Sequence, residues 1–114
     1  IDEIVVVCAP EFRHLFKHSG SKTISFAQPG ERRQDSVYSG LQALNPQAEL
    51  VCIHDSARPF ITKELVKKVL DAGILYGAAT VGTPVKNTIK ESNEFAFVKN
   101  TPDRSKIWEI QTPQ

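Results

Sequence analysis

One stretch of the chain places an apolar run directly before charged residues and a proline. Residues 50–53, Leu-Val-Cys-Ile, are uninterrupted apolar residues and half of them are β-branched. Such a run is typical of a strand buried on both faces in a parallel sheet. Pro59 lacks a backbone N–H and cannot continue the strand. We therefore expect Asp55 and Arg58 at the carboxyl end of a central strand, where open α/β sheets bind their ligands.

These two side chains suit a nucleotide or a phosphorylated ligand. An aspartate can hold a divalent cation, and an arginine can bind a phosphate group. A strand exit with an ordinary salt bridge between Asp55 and Arg58 explains the same spacing equally well. The spacing alone leaves both interpretations open.

Composition excludes some classes of function. The 114 residues include 14 basic and 13 acidic side chains, for a net charge of +1. This balance argues against a nucleic-acid-binding protein that acts through a broad basic field. No apolar segment approaches the length of a membrane span, so no membrane partner is expected. Cys8 and Cys52 both lie in apolar runs, which favours free thiols over a disulfide framework.

Strand-like and helix-like segments alternate through the first two thirds of the chain. The apolar patterns predict strands over residues 4–8, 22–26, 50–53 and 77–81, and helices over residues 11–18, 37–44 and 62–74. This order favours a doubly wound, mostly parallel α/β sheet. His14 and His18 share a face of the first helix. Because no third ligand has a useful spacing, we expect a solvated pair rather than a metal site.

The start of the second helix is a candidate anion site. Pro29 and Gly30 predict a turn, after which Arg33, Ser36 and Gly40 share one helix face. A helix amino end offers unpaired backbone N–H groups beside the hydroxyl and the guanidinium. On this stretch alone, a capped surface helix with ordinary charges is the favoured interpretation.

From residue 85 the pattern changes. Two short alternating runs, 86–90 and 95–98, flank the polar turn 91–94 and predict a β-hairpin. Trp108 then begins a return strand that could bury an apolar face against a partner. The chain is thus predicted to be one partial domain, with an α/β core over 1–84, a β-arm over 85–107 and a return strand over 108–114.

Four segments, in this order, resemble the 2-C-methyl-D-erythritol 4-phosphate cytidylyltransferase family of non-mevalonate isoprenoid synthesis. They are GERRQDSV at 30–37, HDSARP at 54–59, PVKNTIK at 84–90, and Asp103-Arg104 with Trp108 and Thr112-Pro113-Gln114. The family transfers a cytidylyl group from CTP to the substrate's phosphate, with Mg²⁺, and releases pyrophosphate. The related ribitol-5-phosphate cytidylyltransferases share much of the pattern. A non-catalytic nucleotide-binding or dimerisation module is the third possibility, if the chain is complete.

The resemblance implies roles for the matched residues, in a Rossmann-like nucleotidyltransferase sheet. The implied catalytic residues are Arg104, Asp55 and Arg58, and Asp55 would also hold the metal. Methylerythritol phosphate would contact Thr88, Arg104, Thr112, Arg58 and Asp55. The CTP site would include Gly30, Glu31, Arg33, Ser36 and Ser56. The β-arm would be exchanged across a two-fold homodimer, so that Thr88 and Arg104 could serve the neighbouring subunit.

The sequence also departs from the family pattern. Ser56 stands where alanine is usual, and Asn87 where aspartate is common. The family's glycine-rich triphosphate loop is expected before Ile1, and a region with a second metal-binding aspartate and a substrate-contacting lysine after Gln114. The 114 residues alone are therefore expected to be nearly inactive. The resemblance implies a location in the bacterial cytoplasm or in a plastid.

Overall fold

The computed structural model describes residues 1–16 and 22–114. It divides the chain into two compact units, Ile1–Glu49 and Leu50–Gln114. Each unit contains its own helix and its own paired strands, and each is described by itself.

The first unit is built on a parallel pair of strands. Strand β1, Glu3–Val7, pairs with strand β2, Thr23–Ala27, in a register that runs from Glu3 opposite Thr23 to Val7 opposite Ala27. β-Branched and aromatic residues favour this pleated geometry, and Ala27 is buried. Both strands confirm the prediction from apolar patterning.

The connection between these strands begins with a 3₁₀ helix, Pro10–Leu15, where the sequence predicted a helix over 11–18. Residues 17–21 lie outside the described part of the chain. The predicted pairing of His14 with His18 therefore also lies outside it.

Helix α1, Arg33–Gln42, confirms the predicted second helix and packs on the strand pair. Gly40 lies against β1: a Cβ atom at this position would be 2.9 Å from Cγ2 of Val7. Gly40 therefore serves the packing of the helix on the sheet, rather than the candidate anion site considered from the sequence. The Glu3 carboxylate accepts a hydrogen bond from the backbone N–H of Asn45 at 2.9 Å, which ties the exit of α1 to the start of β1.

The predicted central strand at 50–53 is wrong. In the second unit, Leu50 and Val51 are 40% and 37% exposed, and these residues form no strand. Two backbone hydrogen bonds join Ile53 to Gln114, at 2.8 and 2.9 Å. A strand buried on both faces needs neighbours along its length, whereas this segment pairs at a single position. Asp55 thus follows an isolated backbone pair rather than a strand end.

Helix α2, Lys63–Tyr76, confirms the third predicted helix. The hydroxyl of Thr62 accepts a hydrogen bond from the Leu65 N–H at 3.2 Å and caps the helix start. Val69 and Gly73 are buried, whereas Ile74, which ends the predicted apolar pattern, is 73% exposed. Gly77 ends the helix in a left-handed conformation, with φ of 84°, which glycine adopts without a Cβ clash.

The strand predicted over 77–81 is also wrong. Because Gly77 forms the helix cap, the strand begins later, as β3, Gly82–Pro84. It pairs antiparallel with β6, Trp108–Ile110, the start of the predicted return strand. The second unit therefore contains antiparallel pairs in place of the predicted parallel ones.

The predicted hairpin is present, but its turn is displaced along the chain. Strands β4, Glu91–Ser92, and β5, Val98–Asn100, pair antiparallel. The Asn93 side-chain oxygen accepts hydrogen bonds from the N–H groups of Phe95 and Phe97, both at 3.0 Å. Asparagine stabilises turns in this way, so the turn forms at 93–97 instead of 91–94.

Among the described residues, no helix is long and apolar enough to cross a membrane. Cys8 and Cys52 are free thiols, as predicted, and partial burial raises the pKa of the Cys52 thiol.

Gly40 and Gly73, which lie in the described helices α1 and α2, provide a matched test of this packing. Alanine normally stabilises a helix by about 0.5 to 1 kcal/mol relative to glycine. At Gly73 a Cβ atom would meet Leu50 at an ordinary 3.5 Å, so Gly73→Ala should raise the unfolding free energy by that amount. At Gly40 the stiff Val7 side chain cannot yield easily, so Gly40→Ala should lower it by about 1 kcal/mol. Denaturant unfolding of the full-length protein measures both, and equal effects would contradict the close contact at Val7.

Candidate active site

A tight turn in the second unit carries Asp55 and Arg58, the two charged residues predicted to bind a ligand. The Arg58 N–H donates to the Asp55 carbonyl oxygen at 3.0 Å, which closes a four-residue turn with Ser56 and Ala57 at its centre. The Asp55 side chain accepts a hydrogen bond from the Ala57 N–H at 3.0 Å. Aspartate favours the first position of turns because its carboxylate can accept this bond. The sequence HDSARP therefore forms a preorganised loop before Pro59.

Thr112 anchors this turn from the other end of the unit. The Asp55 N–H donates to Oγ1 of Thr112 at 3.1 Å, and Thr112 is only 9% exposed. Because the threonine is buried, its hydroxyl holds the backbone of Asp55 in a fixed place. The structure thus brings together three predicted substrate-site residues, Asp55, Arg58 and Thr112.

The two charged side chains of the turn remain accessible. Nε of Arg58 lies 3.7 Å from Oδ2 of Asp55, and the side chains are 51% and 42% exposed. This separation exceeds hydrogen-bond length, and exposed ion pairs contribute at most about 1 kcal/mol. A loose pair of this kind can be opened by a charged ligand at little cost. The turn therefore accommodates both the salt-bridge interpretation and the phosphate-binding one.

The Asp55 carboxylate of this turn is a candidate ligand for Mg²⁺. In residues 1–16 and 22–114, no group of three or more His, Cys, Asp or Glu side chains is placed to hold a metal ion. Mg²⁺, however, is commonly held by one or two carboxylates, with waters and substrate phosphates completing the octahedron. The Asp55 side chain is partly exposed, and its Oδ2 accepts no hydrogen bond within the described residues. Asp55 therefore fits the role of a single protein carboxylate at such a site.

The loop before α1 brings together two of the predicted nucleotide-site residues. The Gly30 N–H donates to Oγ of Ser36 at 3.0 Å, and that hydroxyl donates to the Arg32 carbonyl oxygen at 3.4 Å. A Cβ atom at Gly30 would collide with Cβ of Asp35, so the loop closes onto the helix only with glycine there. Glu31 and Arg33 are exposed on this loop and at the first residue of α1.

An ion pair that was not predicted fixes the start of α1. The Asp35 carboxylate accepts hydrogen bonds from Nε and Nη2 of Arg32, both at 2.9 Å, and from the Arg32 N–H at 3.2 Å. The charged Arg32 side chain thereby lowers the pKa of Asp35. Opposite charges three residues apart at a helix start were the available signal.

A second group of predicted residues surrounds Arg104. Its Nη1 donates to the Lys86 carbonyl oxygen at 3.0 Å, so Arg104 lies beside the backbone two residues before Thr88. Asp103 caps the short 3₁₀ helix Arg104–Lys106 by accepting from the N–H and the hydroxyl of Ser105, which lowers the pKa of Asp103. Arg104, Thr88 and Ser56 are exposed. Among the described residues, side-chain hydrogen bonds do not connect the Arg104 group to Asp55.

Sequence reasoning also missed a contact of His54. Its ring Nε2 lies 2.9 Å from the carbonyl oxygen of Arg58, four residues along. The pair spans the turn that holds Asp55. The spacing was visible in the sequence, but the turn that brings the two groups together was not.

Solved structures with the same architecture define the class of this protein. The crystal structure of 4-diphosphocytidyl-2C-methyl-D-erythritol synthase from Anaerococcus prevotii superposes with a TM-score of 0.80 at 32% identity, over 99% of this chain and 53% of that one. The 2-C-methyl-D-erythritol 4-phosphate cytidylyltransferase of Thermus thermophilus gives 0.71 at 32% identity, over 97% and 51%. The chain therefore has an α/β nucleotidyltransferase fold.

Sequence comparison narrows this class to one family. The family model described as IspD, 2-C-methyl-D-erythritol 4-phosphate cytidylyltransferase, matches residues 1–114. The chloroplastic enzyme of that name from Oryza sativa is 52% identical over 117 residues, covering 100% of this chain and 39% of the relative. The enzyme from Caldanaerobacter subterraneus is 45% identical, covering 100% and 53%. The chain belongs to the 2-C-methyl-D-erythritol 4-phosphate cytidylyltransferase family, and it spans about half the length of the curated relatives it matches.

Thr112→Val should destabilise the protein. Valine keeps the shape of threonine but removes the acceptor of the Asp55 N–H, and an unpaired, partly buried donor costs about 1 to 2 kcal/mol. Thr112→Ser retains the hydroxyl and should cost clearly less. Denaturant unfolding of both variants in the full-length protein measures the difference. Equal losses would show that the hydrogen bond does not hold the turn.

The Arg32 and Asp35 pair should stabilise the fold in a pH-dependent way. Since the native pKa of Asp35 is lowered, its contribution is complete above the unfolded value of about 3.9 and is lost as pH falls through the native pKa. The stability difference between wild type and Asp35→Asn should therefore shrink below about pH 4. Thermal unfolding between pH 3 and pH 7 checks this, and a difference that grows with acidity would contradict it.

Proposed function

We propose that the whole protein transfers a cytidylyl group from CTP to 2-C-methyl-D-erythritol 4-phosphate and releases pyrophosphate, as a step of isoprenoid synthesis. The observation that carries this proposal is the Asp55 turn. Buried Thr112 anchors its backbone, and the turn exposes the Asp55 carboxylate and the Arg58 guanidinium. The chain that contains it matches the family over residues 1–114. The names of the relatives support methylerythritol phosphate over ribitol phosphate as the acceptor.

The reaction needs positioning and charge stabilisation more than covalent chemistry. An oxygen of the acceptor's phosphate attacks the α-phosphorus of CTP and forms a new P–O bond. The bond to the β-phosphate bridging oxygen breaks, and pyrophosphate leaves with the electron pair. Holding the two phosphates in line and neutralising their charge supplies most of the rate enhancement in such transfers.

The Asp55 turn would bind the acceptor. The Arg58 guanidinium can exchange its loose contact with Asp55 for a bidentate contact with the acceptor's phosphate. A bidentate pair of charge-assisted hydrogen bonds is stronger than the single long contact with Asp55. Thr112 would act by keeping the turn in place, since its hydroxyl already accepts the Asp55 N–H. Arg104 and Thr88 would contact the same phosphorylated substrate.

We propose that Gly30, Glu31, Arg33, Ser36 and Ser56 bind CTP. In the described loop, the Ser36 hydroxyl is occupied by Gly30 and Arg32, so its contribution is to hold the loop closed. The exposed Arg33 guanidinium, at the positive end of α1, is available to an anionic ligand. Mg²⁺ would be held by Asp55, and when bound it neutralises charge on the phosphates.

The hairpin is proposed to pair with a second copy of the chain. Phe95, Phe97 and Val98 are exposed on it, and Trp108 and Ile110 are exposed on β6. Exposed large apolar side chains such as these are common in protein interfaces. A homodimer through this arm would place Thr88 and Arg104 near the partner subunit. The chloroplastic rice relative supports a plastid location, and the bacterial relatives support the cytoplasm as the alternative.

A pyrophosphate-release assay tests the proposed reaction. The full-length protein is given CTP and Mg²⁺ with methylerythritol phosphate or ribitol phosphate in parallel reactions. Release with methylerythritol phosphate alone is expected. Release with ribitol phosphate alone would contradict the proposed acceptor substrate. No pyrophosphate release with either acceptor would contradict cytidylyl transfer.

In the same assay, Arg104→Ala should lower turnover by about 100-fold, the usual loss when one charge-stabilising donor is removed. Its unfolding free energy should change by about 0.5 kcal/mol or less, because the exposed side chain makes one hydrogen bond to a backbone oxygen. Lys67→Ala, an exposed cation on α2 outside the proposed sites, is the matched control. Unchanged turnover in Arg104→Ala would remove this residue from the site.

A further inference from the structure

The His54 ring makes a directional contact with the backbone of Arg58. Nε2 lies 2.9 Å from the Arg58 carbonyl oxygen. A carbonyl oxygen can only accept a hydrogen bond, so Nε2 carries the hydrogen and donates it. This nitrogen is therefore not a proton acceptor, and His54 acts through the bond it makes to the turn.

This bond completes the restraint of the Arg58 backbone. The Arg58 N–H already donates to the Asp55 carbonyl oxygen at 3.0 Å, and His54 holds the Arg58 carbonyl group on the other side. Pro59 has no N–H to compete for neighbouring acceptors, and it narrows the backbone conformations open to Arg58. Both backbone polar groups of Arg58 are thus fixed by flanking residues of the same motif.

The Arg58 side chain itself is only weakly restrained. It is 51% exposed, and its nearest charged partner, Asp55, is 3.7 Å away. The backbone at Arg58 fixes the origin and the Cα–Cβ direction of this side chain, and so limits the region that the guanidinium can reach. Removing one of the two backbone restraints should widen the range of positions open to the guanidinium without disturbing the fold of the unit.

We propose that His54 is a positioning residue that aims Arg58 at the phosphate of the acceptor substrate. This inference rests on the proposed function, because it takes Arg58 to bind that phosphate. It assigns His54 a role distinct from acid–base chemistry: a neutral N–H donor at the Nε2 position is sufficient. Substitutions that keep or lose a donor there therefore separate this role from a general structural one.

The test compares three substitutions in the full-length protein. The side-chain amide nitrogen of glutamine reaches approximately the Nε2 position of histidine, whereas that of asparagine reaches approximately the Nδ1 position. His54→Ala and His54→Asn should each lower kcat/KM for methylerythritol phosphate about tenfold, since small misplacements of a binding group cost one to two orders of magnitude. His54→Gln should restore most of this loss. The effect should fall mainly on the KM for methylerythritol phosphate and leave the KM for CTP unchanged.

A double-mutant cycle identifies the residue through which His54 acts. In an Arg58→Ala background, His54→Ala should have no further effect on kcat/KM, because the group it positions is gone. His14→Ala, which removes an exposed histidine from the 3₁₀ helix Pro10–Leu15, should leave all kinetic constants unchanged and serves as the control.

The possible outcomes separate the two proposals. An active wild-type protein with equal kcat/KM in the His54→Ala variant would overturn the positioning role alone. Equal losses in the glutamine and asparagine variants would overturn it as well, and this comparison still decides if the alanine variant fails to fold. A wild-type protein that releases no pyrophosphate with either acceptor would overturn the proposed function, and the positioning role with it.

Discussion

The hydrogen bond from the Asp55 N–H to Oγ1 of Thr112 joins two segments 57 residues apart in the sequence. Together with the backbone pair between Ile53 and Gln114, it attaches the HDSARP turn to the segment that follows β6. Most other contacts of the turn are local, between residues two to four apart. Without this long-range anchor, the turn would keep its internal shape but lose its fixed place in the unit.

Local hydrogen bonds give the turn its shape, and one long-range hydrogen bond fixes its place in the unit. The turn is formed by Asp55 accepting from Ala57 and Arg58, and it is braced by His54, all within five residues. Such contacts require little ordering of the chain. The buried Thr112 then supplies one fixed acceptor, which leaves the charged ends of Asp55 and Arg58 exposed to solvent and to a ligand.

The elements that the sequence predicted well are those whose pattern depends on the segment itself. Strands β1 and β2 and helix α2 have strong apolar patterns, and Thr62 is an efficient cap for α2. Residues 50–53 have an equally strong apolar run, but a strand exists only where a neighbour pairs with it. The hairpin illustrates a third case: its existence followed from alternation, while its register was decided by the side chain of Asn93.

The candidate site shows the same distinction. Asp55 and Arg58 were identified from their position after an apolar run, although the structure makes that position a turn rather than a strand end. Thr112 could be associated with them only through the family resemblance, because no local pattern links residues so far apart. The Arg32 and Asp35 pair and the His54 contact were missed, since both depend on the conformation of a turn or a helix start.

A crystal structure of the full-length protein with methylerythritol phosphate tests the central claim most directly. If the anchored turn is the acceptor site, the substrate's phosphate will contact the Arg58 guanidinium, and the Asp55 N–H will remain bonded to Thr112. A substrate bound elsewhere, with Arg58 still facing Asp55, would contradict this account.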